Sequence, residues 1–148
     1  MRNYAQKVLL LGVLGFLAAP MIGCPAGTTQ SAAKASLQVT VVMQSAQQGE
    51  IAAHNSKLIP DEEHQFIQRQ FITLAETDKA ANACISAAPN KGAVVSCLDT
   101  AVKAVDSINQ EGGTFLKSPA AQANFTLALT SIKSILQTIE VTLGGQIQ

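Results

Sequence analysis

The sequence predicts an all-α protein, an antiparallel four-helix bundle, and three observations carry that expectation. Apolar side chains recur at near-heptad spacing in three long segments: Ile67, Phe71, Leu74, Ala81, Ile85 and Ala88; Val94, Leu98, Ala101, Val105 and Ile108; Phe125, Leu129, Ile132, Leu136, Ile139 and Leu143. Such spacing places each set on one helical face. Turn and cap chemistry punctuates the segments at Pro60, Pro89-Asn90-Lys91-Gly92, Gly112-Gly113 and Ser118-Pro119. The one stretch that alternates like a strand, Leu37 to Met43, has no partner strand downstream, and an isolated strand leaves its backbone groups unpaired. A three-helix bundle with the first helix only loosely docked is the alternative.

The chain begins with Arg2 and Lys7, carries no acid before Glu50, and is almost purely apolar from Val8 to Ala19. About a dozen apolar residues is the length of a signal-peptide core. As a helix that run rises only about 18 Å, well short of the ~30 Å hydrocarbon layer. Met21-Ile22-Gly23-Cys24 follows, with a small residue directly before the cysteine. The segment 1–24 resembles the bacterial lipoprotein signal, the lipobox, with Met21 where leucine is usual. The resemblance implies cleavage after Gly23, removal of residues 1–23 and acylation of Cys24. It further implies a protein held in the cell envelope, facing the periplasm or exterior, with the membrane as partner. An ordinary signal peptide cut after Ala19 or Ala26 is the other reading.

Pro25 to Ser36 is small and polar, so residues 24–36 read as a flexible tether and 37–148 as a single helical domain. Ala, Gln and Lys on both sides of Leu37–Met43 extend a first helix from about Ala32 to Asn55, with Gly49 as a weak point. Pro60 suits the first position of the second helix, and Asp61, Glu62 and Glu63 complement the positive end of its dipole. Asp78 interrupts the apolar face of that helix and is expected at its edge, toward solvent. The third helix runs from Ala93 and stops at Gly112-Gly113, which accept a left-handed backbone. Ser118 caps the fourth, with Pro119 at its first position, and Gly144-Gly145 ends it.

Residues 24–148 contain eight basic and ten acidic side chains, a formal charge of −2. No basic patch for nucleic acid is available, and scarce aromatics without Trp leave no stacking platform. With Cys24 acylated, Cys84 and Cys97 remain as a pair, which in an exported chain reads as a disulfide. A hairpin of the second and third helices brings the two to similar heights beside the Pro89 turn. Two separate buried thiols are the alternative.

Chemistry-bearing residues are few. His54 and His64 are the only histidines, with Glu62 and Glu63 adjacent to the second. They are the candidates for a metal site. Neighbouring residues on a helix point about 100° apart, so Glu63 and His64 do not converge on one ion. The plainer reading leaves Glu62 and Glu63 to the helix dipole and His64 to solvent. No serine lies in a nucleophile elbow, and no phosphate loop or zinc-finger spacing occurs. The sequence therefore predicts a non-catalytic structural or protein-interaction module without cofactor, one that binds an envelope protein if any. A binding protein for an apolar small molecule in the bundle core is the second reading, and a metal site at the two histidines is the third.

Overall fold

Turn chemistry divides the residues described in the computed structural model, 26–143, into four helices: α1 Ala26–Asn55, α2 Asp61–Ala87, α3 Lys91–Phe115 and α4 Pro119–Thr142. The segment expected to be a lipobox, with Cys24, lies outside the described residues, as does the stop expected at Gly144-Gly145. Each helix packs on the next in sequence, and α4 returns to pack on α1; the α2–α4 diagonal touches little. With connections at 56–60, 88–90 and 116–118, this is an up-down-up-down four-helix bundle. The all-α architecture is thus the expected one, and no strand occurs among the described residues.

α1 starts at Ala26, so the helix expected from about Ala32 begins earlier and takes in residues 26–31 of the expected tether as well. Helix-favouring Ala, Gln and Lys allow it, and packing supports it. Ala35 is buried, and the Ser36 hydroxyl donates to Asp78 of α2 at 2.9 Å. The strand-like alternation resolves at helical period. Val39 and Met43 are buried four residues apart, while Leu37 and Val41 are 67% and 63% exposed. Gly49 does not break the helix. Past Asn55 the chain turns with Lys57 in the left-handed region (φ 60°). The Lys57 and Leu58 N–H groups donate back to the His54 and Ala53 carbonyls. This is the Schellman pattern with lysine where glycine is usual.

Pro60 is the N-cap of α2 rather than its first helical residue, and its carbonyl accepts the His64 N–H at 2.9 Å. Asn90 caps α3 by accepting the Ala93 N–H at 3.0 Å, which moves the helix start back to Lys91. Gly112-Gly113 does not stop α3, which continues to Phe115. Gly112 serves instead as a point of close approach. A Cβ there would lie 2.3 Å from Cε1 of Phe125, whose ring fills the space. Ser118 caps α4 through the Ala121 N–H, with Pro119 following as expected.

The core runs the length of the bundle through the three expected seams. Phe66, outside those seams, joins it, stacked on Phe115 at 4.5 Å and tilted against Phe125 at 6.1 Å. Asp78 does not point to solvent. Ser36 and Asn82 both donate to its Oδ2, so the second helix uses its misplaced acid to hold α1. Burial pushes the Asp78 carboxyl above its ordinary pKa, against the opposing pull of those two hydrogen bonds. Cys84 and Cys97 are joined as a disulfide, with Cα atoms 5.8 Å apart, bridging α2 and α3 beside their turn.

Candidate functional site

The two histidines meet where α1 hands over to α2. His54 belongs to the last turn of α1 and His64 to the first turn of α2. The hairpin stacks their rings face to face, centroids 4.0 Å apart and planes 9° from parallel. Each ring is fixed by its Nδ1. His54 Nδ1 lies 3.0 Å from the Ile59 carbonyl oxygen, which can only accept, so this nitrogen carries the proton. His64 Nδ1 lies 2.5 Å from Oε1 of Glu50, and the Gln68 side-chain amide donates to Oε2 at 2.7 Å. Glu50 is only 1% exposed, so both oxygens of a buried carboxylate have a partner. His54 Nε2 is 3.7 Å from the exposed Asp61 carboxylate.

His64 is therefore not a solvated first-turn residue. Its side chain is about a quarter exposed, lies on His54 and is anchored to Glu50. The sequence reading missed Glu50 and Gln68. The signal was present in part: Glu50 falls on the seam of Val39, Met43 and Ala46, a face on which an acid needs a buried partner.

A carboxylate holding Nδ1 of a histidine is how catalytic and metal-binding imidazoles are oriented. Here the remaining requirements are not met. Lone pairs of Nε2 atoms lie in their ring planes, and two parallel planes aim them side by side instead of at one point. A metal ion needs converging donors. Among the described residues no group of three His, Cys, Asp or Glu side chains could hold an ion. Nor does any described hydroxyl or thiol hydrogen-bond to His64 Nε2, as a nucleophile would. The ring stack and the hydrogen bonds of His64 and Gln68 to Glu50 tie the end of α1 to the start of α2.

Glu63, which the sequence reading left to the helix dipole, is a second buried carboxylate. It sits in the first turn of α2 but reaches the α3–α4 connection. The Lys117 N–H donates to Oε1 at 3.0 Å, the Ser118 N–H at 3.1 Å, and the Ser118 hydroxyl donates to Oε2 at 2.7 Å. Burial alone would raise the pKa of this carboxyl. The hydrogen bonds from Ser118 and Lys117, together with the Lys117 charge, more than offset that and hold it below the ordinary value. Glu62 remains exposed.

The interior has little free space. A cavity of about 20 Å³ lies among Val39, Leu74, Asp78, Val105, Ile132 and Leu136. That is room for about one water molecule. No helix among the described residues is long and apolar enough to cross a membrane. No protein-family model, no curated protein and no solved structure matches the chain.

Proposed function

We propose that this chain is a bacterial envelope lipoprotein, anchored through acylated Cys24, whose helical bundle acts as a non-catalytic structural or protein-interaction module. The observation that carries the reading is the order of residues 1–24: basic start, apolar run, then Gly-Cys. Each buried acyl methylene contributes about 0.8 kcal/mol, and several chains on one cysteine hold a protein almost permanently. The mature bundle then needs no membrane-binding surface. The hydrogen bonds of the histidine cluster serve the α1–α2 hairpin, and the core cavity of about 20 Å³ is too small for an apolar ligand, which favours the interaction reading over a ligand carrier.

The test is the intact mass of protein extracted from a membrane fraction, with and without reductant. The expected species begins at Cys24, is heavier by its acyl chains, and has Cys84 and Cys97 oxidised. A species that begins elsewhere without lipid overturns the anchor and makes the bundle a freely secreted domain. Turnover of a substrate that is lost in His64→Ala would overturn the non-catalytic assignment.

A further inference from the structure

Charge divides the bundle lengthwise. The adjacent helices α2 and α3 contain twelve Asp, Glu, Lys and Arg residues, whereas α1 and α4 contain four. Two of those four, Glu50 and Glu140, are buried. A third, Lys133, reaches over to Asp106 of α3 at 2.8 Å. Among the described residues, Lys34 is the one ionised group exposed on this side without such a cross-helix pair, and it lies near the start of α1. Among the described side chains, the remaining outer face of α1 and α4 is mostly Gln, Ser, Thr and Ala around a few large apolar side chains. Leu37, Val41 and Ile51 on α1 and Leu127 and Val141 on α4 are 45–69% exposed. Because α1 and α4 pack side by side, their outer faces form one wall.

Depletion of charge together with exposed apolar anchors is the composition of an interface core, not of a solvated helix face. The partner must also lack charge over this area, because an ion buried against the wall would lose its hydration and find no counter-ion. Nucleic acid, anionic lipid headgroups and charged peptides are thereby disfavoured. A second copy of the chain related by a twofold axis presents the same charge-poor surface by construction, with Lys34 near the start of α1 as its one exposed charge among the described residues. The size is adequate. Two helices about 10 Å apart and about 36 Å long offer roughly 700 Å² per copy. Roughly 1,400 Å² over both copies falls within the 1,200–2,000 Å² or so of stable complexes.

We infer that the α1–α4 wall is the dimer interface of this protein, pairing two bundles through Val41 and Leu127. The inference deepens the interaction-module reading by naming the partner, and it rests on that reading.

The test is the oligomeric mass of the full chain, purified from membranes in detergent and measured by light scattering with the detergent contribution subtracted. The expected mass is twice that of one chain. Val41→Lys and Leu127→Lys should each shift it to one chain at the same concentration. Ile72→Lys, at a position on α2 that is also more than half exposed (57%), should leave the dimer intact. Helical circular dichroism verifies that all three variants fold. A photo-crosslinking side chain at position 41, introduced in the host cell, should yield an adduct of two identical chains. A chain that is monomeric at every concentration overturns the inference, as does a dimer that survives both lysine variants. A crosslink to a different protein also overturns it, while leaving the interaction-module reading standing. The intact-mass measurement of the anchor is unaffected by any of these results.

Discussion

The carboxylate of Glu63 receives bonds from two backbone N–H groups and one hydroxyl of the α3–α4 connection, two helices away in sequence. Hydrogen bonds to a charged group contribute about 1.5–3 kcal/mol each. Glu63→Gln should therefore destabilise the bundle by about 2–3 kcal/mol, read from a urea unfolding curve, since the amide would present N–H groups to other donors. Acid should have a related effect. The native pKa of Glu63 lies below its unfolded value, so the unfolded chain binds the proton more readily. Its stabilisation is complete above the ordinary glutamate range and is lost as pH falls through the lower native value. That component should be missing from the pH profile of Glu63→Gln. Asp78 has the opposite sign: its raised pKa means that ionisation near neutral pH costs the folded state, a cost that fades on acidification. Asp78→Asn keeps an oxygen to accept from Ser36 and Asn82, so it serves as a control for separating the two titrations.

Two adjacent glycines in α3 test the packing of the helices. A Cβ on Gly112 would strike the Phe125 ring, whereas one on Gly113 would meet nothing within 4 Å. Alanine in a helix is favoured over glycine by about 0.8–1.0 kcal/mol. Gly113→Ala should accordingly stabilise by about 0.5–1 kcal/mol. Gly112→Ala should destabilise by about 1–3 kcal/mol, because Phe125 must leave its place. The contrast also marks where sequence was a sufficient guide. The α2, α3 and α4 seams were legible because heptad spacing is local, and Ser118-Pro119 was legible because a cap needs only its own neighbours. Gly112-Gly113 reads as a stop in sequence, since the ring that requires the first glycine arrives thirteen positions later from another helix. The tether bound at residue 36 was misread for the same reason: small polar residues look like linker until Ala35 is seen in the core and Ser36 against α2.

For the whole molecule, the candidate site was half legible. His54 and His64 could be named from sequence, and so could the Cys84–Cys97 pair. The roles of the histidines could not, because stacking and the Glu50 anchor depend on how the α1–α2 hairpin closes. The disulfide closes a short loop and in the chain-entropy model contributes about 3 kcal/mol. Reduction should lower the unfolding free energy by about that amount, measured by urea titration with and without a thiol reductant, and leave the helical content of the native state unchanged.

The bridge also changes what a protease could achieve. Residues 88–90, the α2–α3 connection, lie between the two bonded cysteines. A single cut there would create a new amino terminus and a new carboxylate but release no fragment. The nicked protein would gain the mass of one water, run as one band without thiol, and separate into two pieces only after reduction.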